Sequence, residues 1–195
     1  MHIHSRYSPC SNSSIHAILD RALDMGLQGV AITDHDTIKG AQKARKLAKG
    51  YGIQVFIGSE ITSSDGQILA YGIEQEIPVR LAASETIKLI HNQNGVAIAA
   101  HPYRETEYSL GNKIFDLELD GVEILNAYNG IDKEARSAAE VMRVSMIGGS
   151  DAHHPAYVGW GATEFKINIK DEFSLLSAIR NRECRPVVLG KKDTF

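Results

Sequence analysis

The side chains able to do chemistry fall at the ends of apolar runs. His2 and His4 open the chain; Asp34, His35 and Asp36 follow Val30-Ala31-Ile32; Glu60 follows Val55-Phe56-Ile57. His101 comes after Ala97-Ile98-Ala99-Ala100, and Asp151 with His153 after Met146-Ile147-Gly148-Gly149. His-x-His and Asp-x-His on an extended backbone put both side chains on one face, so each pair can reach one cation or two adjacent ones. Imidazole mixed with carboxylate suits zinc, manganese or iron, whereas magnesium alone favours a more oxygen-dominated set. An isolated His or Asp at a strand end is usually a loop hydrogen-bonder. Here five of the eight histidines sit at such ends, and that coincidence points to a metal cluster. His16 and His91 lie in helical stretches and are expected on the surface. Two readings of His154 stand open: a general acid or substrate contact facing the pocket, or a solvent-exposed loop residue.

The elements that would position these residues alternate in period. Strand-length apolar runs exchange with amphipathic helical stretches, which predicts parallel βα units and an α/β fold. Helices are expected from Ser13-Ser14 to Gly26, over Ile38–Lys49, Ser84–Asn94, Asp132–Met142 and Asp171–Asn181, and strands over Gly29–Thr33, Gln54–Ile61, Val96–Ala100, Gly121–Leu125, Ser145–Gly149, Ala162–Ile169 and Pro186–Leu189. Ser64-Asp65-Gly66 is a turn before Gln67–Gly72, so a hairpin interrupts the alternation there. In a (β/α) barrel the active site gathers at the ends of successive strands.

Composition narrows the field. With 195 residues, 43% hydrophobic and 23% charged, a single domain over residues 1–195 is expected. A net charge of −3 and scattered Lys and Arg give no surface for a long nucleic acid. Two cysteines, Cys10 and Cys184, make no disulfide framework, and no long apolar run predicts a membrane span, so a cytoplasmic location is expected. The opening Met1-His2-Ile3-His4 is abrupt for a barrel's first strand, an expectation that the natural start is trimmed.

In order and spacing the segments His2-Ile3-His4-Ser5-Arg6-Tyr7-Ser8, Ile32-Thr33-Asp34-His35-Asp36-Thr37, Gly58-Ser59-Glu60, Ala100-His101-Pro102 and Gly149-Ser150-Asp151-Ala152-His153 resemble the successive motifs of the PHP (polymerase and histidinol phosphatase) family. The resemblance implies a distorted (β/α)7 TIM-like barrel with two or three divalent metal ions (Zn, Mn or Fe) at its C-terminal face. It implies one metal on His2, His4, Glu60 and Asp151, a second bridged by Glu60 and taking His101, and a third on His35 and His153. Cys10 falls where relatives often complete this third site, and a thiolate would favour zinc; its other reading is a small buried loop residue. Gln67 departs from the pattern, standing where many relatives carry His, so the second metal is expected to be weakly held, completed by water, or recruited only with substrate. Asp34 reads as a partner that fixes an imidazole, and Asp36 stays outside the site.

Such a cluster acidifies a water and offsets charge on phosphoryl and leaving oxygens, so phosphate ester hydrolysis is the expected reaction, with Glu60, Asp151 and His154 as candidate catalytic residues. Arg6 and Arg104 are candidates to clamp the phosphate bidentately. Glu123 and Asn126 end a strand, where either could point into the pocket and read the substrate, Asn126 having the equal alternative of an ordinary turn residue; Tyr128 and Trp160 are expected to pack at the core or rim. The expected partner is a small phosphorylated substrate or nucleotide, the ester being a phosphomonoester or phosphodiester of a small molecule, a nucleotide or an oligonucleotide end. Two rivals remain: an amidohydrolase, which a lysine ligand would mark, and a non-catalytic metal-binding regulatory module, which lost ligands would mark.

Overall fold

The structure, a computed structural model, describes residues 1–106 and 108–190. Helix α1 (Ile15–Asp24) starts where the Ser14 hydroxyl accepts the Ala17 N–H at 3.1 Å, and it closes on Gly26, whose φ of 70° is a left-handed turn open to glycine. Its Ile15, Ile18, Leu19 and Ala22 form one buried stripe. The other helices are α2 (Lys39–Ala48), α3 (Ala83–Asn92), α4 (Lys133–Met142) and α5 (Glu172–Arg180), each within two residues of the sequence expectation. Asp132 caps α4 through Ala135 N–H, and Asp171 with Ser174 forms a capping box on α5.

The strands are β1 (Gly29–Ile32), β2 (Gln54–Thr62), β3 (Gln67–Tyr71), β4 (Val96–Ala99), β5 (Gly121–Asn126), β6 (Gly130–Ile131), β7 (Ser145–Gly149), β8 (Gly161–Phe165) and β9 (Cys184–Val188). The first seven form one mixed sheet in the order β1-β2-β3-β4-β5-β6, with β7 also on β5. β1–β2, β4–β5 and β5–β7 are parallel, while β3 runs antiparallel to both neighbours. The hairpin expected at Ser64-Asp65-Gly66 is therefore present, and it replaces one helical crossover. At the chain start Ile3 bridges to Ala152, and its carbonyl accepts the Thr33 N–H at 2.9 Å, so this segment links the end of β7 to the end of β1 and curls the sheet. Among the described residues β8 and β9 pair only with each other, and β8 is shorter than the strand expected over Ala162–Ile169.

Alternation along the strands sorts their side chains. Val30, Ile32, Val55, Ile57, Ile68, Ala70, Ala97 and Ala99 belong to the cluster with the apolar stripes of α1 to α4. Ala31, Phe56, Leu69, Tyr71, Ile98 and Ile147 belong to a second cluster, closed by Leu175, Leu176 and Ile179 of α5. The same period continues from Phe56 through Gly58 to Glu60, from Ala31 through Thr33 to His35, and from Ile147 through Gly149 to Asp151. The face that is apolar beside α5 thus turns ionisable at the strand ends. No helix of the described residues is long and apolar enough to cross a membrane.

Candidate metal centre

Four donor atoms from distant parts of the chain meet in a space about the size of one ion. His2 Nε2 lies 3.2 Å from His4 Nε2, 3.3 Å from Glu60 Oε2 and 3.4 Å from Asp151 Oδ1. His4 Nε2 lies 3.3 Å from Glu60 Oε2 and 3.1 Å from Asp151 Oδ1. Ligands at about 2.0–2.1 Å in a tetrahedron stand about 3.3 Å apart, so these separations fit a shared divalent cation. The second Glu60 oxygen faces elsewhere, with His101 Nε2 at 3.2 Å from Oε1. His35 Nδ1 is 3.2 Å from Glu60 Oε2, and donor atoms of His4, Cys10, His35 and His153 lie within 4.8 Å of one another.

The outer nitrogens of three imidazoles are already occupied, which decides where their lone pairs point. His2 Nδ1 lies 3.1 Å from Glu123 Oε1, and an ionised carboxylate only accepts, so Nδ1 carries the proton and Nε2 is free for the centre. Glu123 Oε2 accepts the His101 N–H at 3.0 Å. The Ser8 hydroxyl donates to Asp34 Oδ1 at 2.8 Å, which leaves its lone pairs to accept the His35 N–H at 3.0 Å and the proton on His4 Nδ1 at 3.2 Å. His153 Nδ1 donates to the Asp151 carbonyl at 2.9 Å. His101 Nδ1 is buried without a partner among the described residues.

Glu60, Glu123 and Asp151 are each 1% exposed, three carboxylates in one buried volume. Burial pushes their carboxyls up, and the facing imidazoles, His2 foremost, outweigh it and hold all three below the usual carboxylate range. Burial presses His2 down, and Asp151, Glu60 and Glu123 together raise it well above an ordinary histidine. Concentrated negative charge of this kind calls for a cation, and the donor set, imidazoles and carboxylates with unpaired lone pairs converging, fits a divalent metal. His101 and Asp151 take positive φ, 27° and 49°, where a non-glycine residue is held only by its surroundings.

The structure thus brings together His2, His4, His35, Glu60, His101, Asp151 and His153, with Cys10 beside them. Cys10 is exposed, which corrects the reading of it as a small buried loop residue. Asp34 is buried but touches no imidazole directly: it accepts from Ser5 N–H, Ser5 Oγ and Ser8 Oγ, and acts on His4 and His35 through Ser8. Gln67 Nε2 is 3.4 Å from His35 Nδ1. Asp36 accepts from Thr62 N–H at 2.7 Å and stays out of the cluster. Arg104 Nη2 meets Asp151 Oδ2 at 2.6 Å, with its guanidinium 5.9 Å from the Tyr128 ring centre.

Two candidates stand apart. His154 is exposed and caps a short 3₁₀ turn, its Nδ1 accepting the Ala156 N–H, so it does not face the cluster as a general acid. Arg6 is exposed and does not line the cavity beside the centre; Arg80 does, and sequence reasoning passed over it because no motif surrounds it. Ser8 and Glu123 acquire their roles from contacts that local sequence does not display. Tyr128 is half exposed, and Trp160 packs edge-on against Tyr157, both at the rim. His16 bonds Tyr51 and His91 bonds Asp120, away from the centre.

A curled α/β sheet with imidazoles and carboxylates converging at its strand ends defines the class: an α/β protein with a candidate divalent-metal centre. More narrowly, the chain belongs to the PHP family, since the PHP domain model matches residues 1–156 and a PHP-associated model matches residues 133–184. It is 44% identical over 139 residues to the uncharacterized protein MJ1587 of Methanocaldococcus jannaschii, covering 66% of this chain and 81% of that one. It is 33% identical over 88 residues to the phosphoribosyl 1,2-cyclic phosphate 1,2-diphosphodiesterase of Eggerthella lenta, covering 42% of this chain and 33% of that enzyme. A solved two-domain protein of Bacteroides vulgatus, described as containing a predicted PHP-like metal-dependent phosphoesterase, superposes with a TM-score of 0.84 at 19% identity, over 96% of this chain and 63% of that one. The chain spans a third of the Eggerthella enzyme and under two thirds of the Bacteroides protein.

Proposed function

We propose that the protein hydrolyses phosphate esters of small molecules or nucleotides, as one PHP-type domain of distorted (β/α)7 barrel form whose metals sit at the C-terminal face. The carrying observation is the set of donor separations around Glu60, 3.1–3.4 Å among atoms contributed by residues 2, 4, 60 and 151. His2, His4, Glu60 and Asp151 would hold one ion, Glu60 and His101 a second, and His35, His153 and Cys10 a third, with two or three ions of Zn, Mn or Fe in all. Such ions would supply Lewis acidity, an acidified water and positive charge for the phosphoryl oxygens.

The chain's own groups do the remaining work. Glu123, Ser8 and the Asp151 carbonyl hold imidazoles in the tautomer that presents Nε2 inward. Arg104, tied to Asp151 by one nitrogen, keeps further donors for a phosphoryl oxygen, a planar fork suited to that group. The adjoining cavity of about 460 Å³ accepts a small ester, and the cyclic phosphodiesterase relative supports phosphoester chemistry. No lysine lines this cavity among the described residues, which weighs against the amidohydrolase reading. The retained donor set weighs against a decayed regulatory module.

The test is hydrolysis of p-nitrophenyl phosphate and bis(p-nitrophenyl) phosphate by protein supplied with Mn²⁺ or Zn²⁺. Turnover of at least one ester, abolished in Asp151→Asn, is the expected result. Fully metal-loaded protein inert toward both would overturn the reading.

A further inference from the structure

Arg80 is a residue of the cavity that the chemistry above leaves unused. It lies in the loop after β3 and lines the cavity with Arg104, Thr62 and Asp36. Its φ of 61° is a left-handed conformation that a long side chain adopts only when its surroundings impose it. Here they do: the Arg80 N–H donates to the Thr62 carbonyl at 2.7 Å, and the neighbouring Leu81 carbonyl accepts the Ser64 N–H at 2.8 Å. The side chain itself is exposed and makes no hydrogen bond or ion pair among the described residues. Asp36, an acid that also meets Thr62, is engaged by the Thr62 N–H and hydroxyl.

The two cavity arginines therefore differ. Arg104 is bonded to Asp151 at the centre, whereas Arg80 is anchored beside Thr62, two residues beyond Glu60 on β2 and so roughly 7 Å farther out along the strand. A guanidinium whose donors meet no partner among the described residues, fixed at its base and placed outward of a phosphoryl site, matches a carboxylate or phosphate fork to fork.

We propose that Arg80 binds a second oxyanion of the substrate, so that the preferred substrate is a small phosphate ester carrying another phosphate or a carboxylate several ångströms from the scissile group. This rests on the phosphoesterase reading above. The experiment measures kcat and KM of the metal-loaded protein for phenyl phosphate, butane-1,4-diol bisphosphate and 4-phosphooxybutanoate, in wild type, Arg80→Ala and Arg80→Lys. Wild type is expected to favour at least one doubly anionic ester over phenyl phosphate by about tenfold or more in kcat/KM, and Arg80→Ala to remove most of that preference through KM rather than kcat. Arg80→Lys, keeping charge without the fork, recovers part of it. Which doubly anionic ester depends more on Arg80 tells phosphate from carboxylate. No preference in wild type, or an equal loss on all three esters in Arg80→Ala, overturns the proposal while leaving the phosphoesterase reading intact; a wild type that hydrolyses none of them overturns the proposal, and the phosphoesterase reading falls with it only if both p-nitrophenyl esters are inert as well.

Discussion

Three of the metal-facing imidazoles, those of His2, His4 and His153, are aimed by a neighbour, and that is where single substitutions should be felt first. Glu123 touches His2 and the backbone of His101, and Ser8 touches His4, His35 and Asp34. Glu123→Gln and Ser8→Ala are each expected to weaken metal binding about 10- to 100-fold, measured by competition with a chromogenic chelator, with Ser8→Thr recovering part of the loss because it keeps the hydroxyl. Unchanged affinity in both would show that the imidazoles orient themselves. His154 gives the opposite expectation. Loss of a general acid costs about 10²-fold or more in rate, whereas His154→Ala should leave kcat/KM within about twofold of wild type. The His and carboxylate donors were legible because side-chain type and strand-end position are local facts. Arg80 and the Ser8 relay were not, since a loop held by Thr62 and a hydroxyl shared among three partners exist only once the chain is folded.

At the level of elements, the centre depends on how closely the chain start and β7 approach. A Cβ built on Gly149 would strike the Glu123 carboxylate and lie 2.5 Å from His2 Cβ, both fixed by their own contacts. Gly149→Ala is therefore expected to lower stability by about 1–3 kcal/mol and to weaken metal binding as well, read from denaturant midpoints and the same chelator competition. Gly50→Ala, where the nearest atom stands at 3.8 Å, supplies the comparison and should do neither. Strand and helix periods disclosed most elements, and Ser64-Asp65-Gly66 disclosed the β2–β3 hairpin. What period could not disclose was pairing: β3 antiparallel on both sides, and β8–β9 set apart as their own sheet, follow from tertiary packing.

For the whole molecule, the buried charge cluster ties stability to pH. In the metal-free protein Glu60, Glu123 and Asp151 are held low, so they stabilise above their unfolded-state values near 4 and that contribution is lost as pH falls through the folded values. His2 is held high, so its contribution is full below about 6.5 and is lost as pH rises through its folded value; His35, pressed down by burial, works in the opposite sense and over the range below about 6.5. Chelated protein should accordingly lose Tm as pH rises above about 6.5, while Zn- or Mn-loaded protein should not, because the cation replaces the lost proton charge. A chelated protein whose Tm climbs across that range would contradict this.

The measurement that bears most directly on the account is metal content by inductively coupled plasma mass spectrometry, after equilibration with Zn²⁺ or Mn²⁺ and removal of free ion. The account predicts about two or more equivalents in wild type and a fall to about one or fewer in Glu60→Gln, whose carboxylate faces His2, His4, His35 and His101 at once. A folded wild type that retains less than about a tenth of an equivalent of either metal would contradict it.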